Sequence, residues 1–385
     1  MIFIRDGTRV HKLLMLLACV GEYPMRSVYL LGNERVWKRK IRELQQWQDF
    51  CLPESGERGR FQMLTVSGKG KNVTIRLHWS ALAALKRIRE AAHSYYMEHF
   101  NQHHFSGAVT HVSRNHRLAE TVAMCMAAGI AVLPWEKPEI HDRMIRQMGT
   151  KTPCCYLSRE LKTFYEGEMK KTEFARLTAA MVYPNGMYAV YNTRDEAMLW
   201  RGGGEEKAQI LLEDIFRTDG WRNEAKSAIL LGRDFRTAAV TLEGAFVRRH
   251  LKERLDRIYE NLYFIPMNEI GINMLGIMTQ RDWRIRLREA LFGRLGTWEN
   301  TDKKACDAHI SGVYHYCHLD GDLCSLIRFR SALRRWPEET YVLHCYREQI
   351  VYLKEYLGDY SGKGNLKLRL YAPETLHTHF CGTKE

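Results

Sequence analysis

Apolar positions in the first third of the chain recur at helical spacing. Val10, Leu13, Leu14 and Leu17 fall at i, i+3, i+4 and i+7, which predicts an amphipathic helix over residues 9–20. The string Gly21-Glu22-Tyr23-Pro24 ends it. A short helix is expected over 25–31, a turn at Gly32-Asn33, and a third helix over 34–47 with Val36, Ile41, Leu44 and Trp37 as its apolar positions. The period then changes. Val73, Ile75 and Leu77 alternate with polar residues, as a half-buried strand does, and residues 60–66 supply a partner strand. Between them Ser67-Gly68-Lys69-Gly70-Lys71 reads as a hairpin tip whose glycines take positive φ. Three short helices followed by a hairpin is the order of a winged helix-turn-helix, placed at 1–78.

Leu82, Leu85 and Ile88 predict one further helix over 79–100, able to link the next unit or to pair two protomers in a homodimer. Residues 109–112 read as a strand, 117–128 as a helix and 130–133 as a strand. Prolines 134, 138 and 153 leave 134–178 irregular, with one helix near 158–170. Residues 79–178 thus form a helical linker and mixed α/β segment. From Tyr183 onward strands and helices alternate. Strands are expected over 187–191, 227–232, 261–266, 313–319, 341–346 and 366–371, and helices over 205–216, 237–259, 282–291, 323–336 and 347–357. That alternation predicts βαβ units, a mainly parallel sheet, and a three-layer, Rossmann-like α/β domain over 179–385. The whole is read as an α/β multidomain chain.

Composition narrows the class. At 45% apolar and 27% charged, the 385 residues can bury real cores, which excludes a rod, a collagen or a mostly disordered chain. The longest apolar stretch, 121–133, is well short of the ~20 residues of a membrane span. Ten cysteines at irregular spacing, without a CxxC pair, predict reduced thiols and a cytoplasmic protein.

Charge is placed unevenly. The chain is net +13, and residues 1–100 carry 17 Lys and Arg against 9 Asp and Glu. Clustered positive charge is the footprint of a polyanion partner. The third helix holds Arg35, Lys38, Arg39, Lys40 and Arg42, and the hairpin tip holds Lys69 and Lys71. In a major groove the helix cations would reach phosphates or guanine edges of double-stranded DNA, with the tip over an adjacent backbone. A basic helix used for protein contacts is the competing reading of the same residues.

Other chemistry is sparser. Asp234, Glu269, Asp320 and Asp322 follow predicted strands, where ligands of α/β sheets sit. Together they could hold Mg²⁺ for phosphodiester hydrolysis; singly, each suits a helix N-cap. Gly202-Gly203-Gly204 precedes Glu205, Glu206 and Lys207, and two glutamates there would repel a phosphate. Cys306, His309, His315, Cys317, His318 and Cys324 are dense in metal-capable side chains but lack finger spacing, so no metal is assigned.

The helical N-terminus, the segment His116-Arg117-Leu118-Ala119 and the α/β unit that follows together resemble the replication-relaxation family, while the strings Tyr188-Ala189-Val190-Tyr191-Asn192-Thr193 and His318-Leu319-Asp320-Gly321-Asp322 are similar to a group from conjugative elements of gut Firmicutes. Members of the replication-relaxation family are carried by plasmids and integrative conjugative elements of Gram-positive bacteria. The resemblance implies DNA binding in plasmid replication or mobilisation; a relaxase or replication initiator is the partner under the other reading, in which the winged helix serves as a protein contact in assembly. The resemblance also implies a C-terminal unit of degenerate restriction-endonuclease-like fold, whose motif is Pro-Asp, an acidic residue on the next strand and a Lys. Here Pro184 is followed by Asn185, the strand ends in Asn192, and Lys207 stands alone. Amides cannot act as a base and bind Mg²⁺ less strongly, so the resemblance implies an inactive nuclease fold without a cofactor. A Mg²⁺-dependent nuclease, or an assembly factor without DNA affinity, are the alternatives.

Overall fold

The computed structural model describes residues 2–52, 56–100, 104–105, 107–140, 153–163, 177–184, 186–198, 203–216, 226–247, 259–293, 295, 299–300, 305–358, 364–373 and 380. The chain is mixed α/β and divides into two compact units, Met1–Asp142 and Arg143–Glu385. Residues 79–178, expected as a segment of their own, are shared between them. Among the described residues no helix is long and apolar enough to cross a membrane. The described cysteines are all buried free thiols.

Unit 1 runs β1 (Ile2–Phe3), α1 (Arg9–Val20), β2 (Glu22–Pro24), a 3-10 helix (Met25–Leu31), α2 (Glu34–Leu44), β3 (Gln48–Leu52), β4 (Glu57–Phe61), β5 (Leu64–Ser67), β6 (Thr74–Leu77), α3 (Ala81–Ile88), α4 (Glu90–His99) and α5 (Val109–Ala127). Thr8 caps α1, accepting from the His11 amide, and Leu13 through Val20 are all buried. α1 is therefore the central helix, with α4 and α5 packed on it. β2 lies between the first two helical segments yet pairs with β6, giving the antiparallel order β2-β6-β5. Gly68 turns the β5–β6 hairpin at φ +91°, where a Cβ would lie 2.3 Å from the Asn72 carbonyl oxygen.

α5 fastens this sheet from behind. Ser27 Oγ donates to Glu120 Oε1 at 2.5 Å, Thr74 Oγ1 is 2.7 Å from His116 Nε2, and Asn115 Nδ2 donates to Glu22 Oε2 at 2.7 Å. His116, Glu120 and Glu22 are all buried. His116 and Leu118, in the segment that carries the family resemblance, are thus core positions.

The structure corrects several expectations in this half. α2 stops at Leu44, because the Leu44 carbonyl accepts from the Met63 amide and the chain turns into β3 at Gln48. β1, β3 and β4 form a second sheet that the sparse apolar residues of 48–61 did not announce. The helix expected over 79–100 is two helices, broken at Arg89, whose backbone is extended. Val109–Val112 is the first turn of α5, and Ile130–Leu133 leads into a 3-10 turn at Pro134–Glu136.

Unit 2 holds two five-stranded mixed sheets where one mainly parallel sheet was expected. The first contains β7 (Cys154–Leu157), β8 (Ala179–Tyr183), β9 (Gly186–Arg194), β10 (Ser227–Gly232) and β11 (Asn261–Pro266). The second contains β12 (Glu299–Asn300), β13 (Ala308–Ile310), β14 (Val313–Cys317), β15 (Thr340–Tyr346) and β16 (Leu366–Tyr371). Each is ordered as in the chain. Its first three strands are antiparallel and its last three parallel. Among the described residues each parallel step carries one α-helix: Gly203–Ile215 and Phe235–Val247 in the first, Leu323–Arg335 and Ile350–Leu357 in the second. The same plan is used twice. Helices Glu269–Met278 and Trp283–Phe292 join the two copies.

The copies interlock at β11. Helix Leu323–Arg335 packs on β11, and the two helices Phe235–Val247 and Ile350–Leu357 pack together, with Phe235 stacked on Tyr352 at 5.6 Å. The Phe264 amide donates to the Gly321 carbonyl at 2.9 Å. Gly321 sits at φ +71°, and a Cβ there would lie 2.5 Å from the Phe264 carbonyl oxygen. Only glycine combines that backbone with that approach.

Candidate functional sites

The helix α2 is amphipathic in the strict sense. Trp37, Ile41 and Leu44 are buried, and the Trp37 indole N–H donates to the Leu31 carbonyl at 2.7 Å, which anchors the helix to the segment before it. Trp37 is therefore a core residue. On the opposite side Arg35, Arg39 and Arg42 follow at i, i+4 and i+7 and are all exposed, so their guanidinium groups share one outward stripe. Lys38 and Lys40 are different. Lys38 Nζ lies 2.6 Å from Glu34 Oε1 and Lys40 Nζ lies 3.0 Å from Glu43 Oε1, so both flank the stripe as partners of carboxylates on the same helix. Lys69 and Lys71 are exposed on the β5–β6 loop, which the Asn72 amide tightens by donating to the Lys69 carbonyl at 3.1 Å and against which α5 packs.

The four strand-end acids of unit 2 do not form one group. Asp234 is exposed and its Oδ1 accepts from the Arg236 amide at 2.9 Å, as a turn residue does. Glu269 opens helix Glu269–Met278 behind the capping residue Asn268. Asp322 is buried and fully used. Its Oδ1 accepts from the Cys324 and Leu262 amides, each at 3.0 Å, and its Oδ2 accepts from Ser325 Oγ at 2.6 Å. It caps helix Leu323–Arg335 and satisfies an amide of β11 with one oxygen. Asp320 shares that turn, accepting from the Asp322 amide at 3.1 Å. Among the described residues no group of three or more His, Cys, Asp or Glu is placed to hold a metal ion.

Asp320 opens on a cavity of about 390 Å³. Arg284, Arg288, Arg328, Asp307 and Ser325 also line it. Arg288 donates to Asp307 Oδ1 at 2.8 Å, and Asp307 Oδ2 accepts from the Cys317 amide at 2.7 Å. Arg284 donates to the Tyr263 hydroxyl and lies 5.3 Å from the centre of that ring. Burial pushes the Asp307 carboxyl above its usual range. Burial, then the charge of Asp322, pushes Asp320 up to about 7 against the pull of Arg284. The wall thus sets arginines against carboxyl groups, of which Asp320 is near its titration point at neutral pH. The sequence reading missed Arg284 and Arg288, whose signal is their spacing of four on the helix Trp283–Phe292. Asp307 was missed too, because it precedes a three-residue strand.

The metal-capable residues near 306–324 serve the core. His315 Nδ1 lies 2.9 Å from His344 Nε2, His344 Nδ1 lies 2.8 Å from the Tyr371 hydroxyl, and His318 Nε2 contacts the Tyr352 hydroxyl. Burial lowers both His318 and His344 to about 3, so they are neutral. Of the motif that the family resemblance implies, Asn185 lies outside the described residues. Asn192 is buried, its Oδ1 accepting from the Arg194 amide at 3.1 Å. The chain matches no family model, no curated protein and no solved structure.

Proposed function

We propose that unit 1 is a winged helix-turn-helix that binds double-stranded DNA, with α2 as the helix entering the major groove and the β5–β6 hairpin as the wing. The order α1, β2, 3-10 helix, α2, hairpin, together with the pairing β2-β6-β5, supports the reading. The observation that carries it is the exposed row Arg35, Arg39 and Arg42, backed by the buried row Trp37, Ile41 and Leu44. A helix so held presents guanidinium groups at a fixed angle, as phosphate contacts and bidentate guanine contacts require. Lys69 and Lys71 supply exposed cations on the wing. In the setting implied by the family resemblance, this binding serves replication or mobilisation of a plasmid or conjugative element. Unit 2 then acts in binding or assembly, since Asp234 and Asp322 are engaged as turn and cap residues.

A mobility-shift titration with mixed-sequence duplex tests this. Replacing Arg35, Arg39 and Arg42 together with Ala is expected to weaken binding at least tenfold, since each bidentate base contact alone is worth ~1–3 kcal/mol. Equal affinity of the variant and the natural chain removes α2 as the DNA-reading helix.

A further inference from the structure

Unit 1 carries a second feature that duplex docking does not use. Trp47 and Trp79 are 49% and 66% exposed, high values for the largest side chain. They are brought together by backbone. The Met63 amide donates to the Leu44 carbonyl at 3.0 Å and the Met63 carbonyl accepts from the His78 amide at 2.9 Å, so the end of α2 and the end of β6 meet there. The His78 ring stands between the indoles, 5.9 Å edge-on from Trp47 and 5.5 Å from Trp79. It is locked in place: Nδ1 lies 2.8 Å from Ser80 Oγ, and Ser80 Oγ donates to the Gln62 carbonyl at 2.9 Å. Burial lowers the His78 pKa.

Exposed cations border the cluster. Arg42 lies on the last turn of α2, five residues before Trp47. Across the strand that follows Trp47, Arg60 pairs in register with Asp49, and Arg58 is exposed two residues further along β4. Asp49, set against Arg60, and Glu43, next to Arg42 on α2, are acidic residues of the same border.

We infer that the Trp47–His78–Trp79 cluster is a stacking platform for unpaired nucleobases, so that unit 1 holds single-stranded DNA beside the surface that α2 offers to a duplex. Exposed π-faces flanked by guanidinium groups suit a strand whose bases are splayed out and whose backbone is anionic. Every base has a π-face, so the platform is tolerant of sequence. The inference deepens the DNA-binding reading of unit 1, and two probes separate their fates.

The full-length protein is titrated with fluorescein-labelled oligothymidylate of ~15 nucleotides and, separately, with a blunt duplex, reading anisotropy and quenching of tryptophan emission. The expected result is quenching by the oligonucleotide and about tenfold weaker oligonucleotide binding in Trp47→Ala and Trp79→Ala, a drop within the range for one stacked base. Trp79→Phe, which keeps an aromatic face, should bind nearly as the natural chain does. Duplex affinity should be unchanged in all three. Both substituted side chains are exposed, and an unchanged thermal midpoint confirms folding. Oligonucleotide binding that is absent, or equal in the alanine variants, overturns the platform even when duplex binding is intact. Loss of duplex and oligonucleotide binding alike in the tryptophan variants overturns it too, by making the cluster a general DNA-binding surface. Duplex binding absent with the oligonucleotide result as expected leaves the platform standing and removes only the duplex reading.

Discussion

Glu22 and Arg76 face each other in register across β2 and β6, and the guanidinium Nε donates to Glu22 Oε1 at 2.7 Å with a second bond from the same group. The carboxylate is wholly buried and its other oxygen accepts from Asn115. One ion pair thus ties the strand that follows α1, the returning strand of the hairpin, and α5. The Arg76 guanidinium also lies 4.7 Å from the centre of the Phe105 ring. Arg76→Met leaves a buried carboxylate with an amide alone, and breaking such pairs costs about 3–5 kcal/mol. Urea unfolding of the full chain should show a loss of that order. The double variant Glu22→Leu with Arg76→Met should recover most of it, because no charge is then stranded. Equal losses in the single and the double variant would show that the pair contributes through something other than its buried charge.

Asp320 and Asp322 stand two residues apart yet have different jobs. Asp322→Ala strands the Leu262 and Cys324 amides, and a buried donor without an acceptor costs ~1–3 kcal/mol. Asp322→Asn keeps Oδ1 as acceptor and should cost much less. Asp320→Asn breaks no cap and should leave the fold intact. Incubating supercoiled plasmid with Mg²⁺ or Mn²⁺ then tests the hydrolytic alternative directly. The expected outcome is that the natural chain and Asp320→Asn behave alike. Nicking that disappears in Asp320→Asn would establish Asp320 as part of a nuclease centre.

The same acid sets a pH response. Asp320 titrates near 7 when folded and at 3.8 ordinarily, so between these values the native state holds a proton that the unfolded state has released. Its contribution to stability therefore falls as pH rises from about 4 to 7. His318 and His344 run the other way. Their folded values of about 3 lie below the ordinary 6.5, so in acid the unfolded state takes up protons that the native state refuses, and stability falls as pH drops below 6.5. Asp320→Asn removes the first effect and leaves the second. Its stability relative to the natural chain should grow steadily between pH 4 and 7 in denaturant midpoints, and a difference that stays flat across that window contradicts the assignment.

How far the sequence spoke depended on how much of each signal was local. α1 and the strands β10, β11 and β16 were legible to the residue, because each is a continuous apolar or periodic run bounded by turn residues. β3 and β4 were not, since Phe50 and Cys51 gain their burial from β1, far away in the chain. Helix Glu269–Met278 escaped notice because Gly271 and Gly276 depress its helix propensity. The duplicated plan of unit 2 lies in strand order and direction, which depend on pairing between distant segments. At the candidate surface the cations were readable, but which of them pair with Glu34 and Glu43 is a matter of side-chain geometry. Trp47 and Trp79 are 32 residues apart, and their proximity depends on Met63 joining two backbones.

That division among the cations leads to a measurable difference in salt dependence. Each phosphate neutralised on a duplex contributes ~0.9 to the slope of log affinity against log salt. Arg35, Arg39 and Arg42 face outward, whereas Lys38 and Lys40 are partly neutralised by carboxylates one turn away. Binding through Lys38 or Lys40 must first exchange an intrahelical pair worth a few tenths of a kcal/mol, about 0.3–0.5, for a phosphate. The triple Arg→Ala variant should therefore lower the slope by about two to three, at ~0.9 for each phosphate no longer neutralised, and Lys38→Ala with Lys40→Ala by less than about one. The measurement is duplex affinity at a series of salt concentrations for the natural chain and both variants. A larger change of slope in the lysine variant would place the DNA on the flanks of α2 and away from its arginine row.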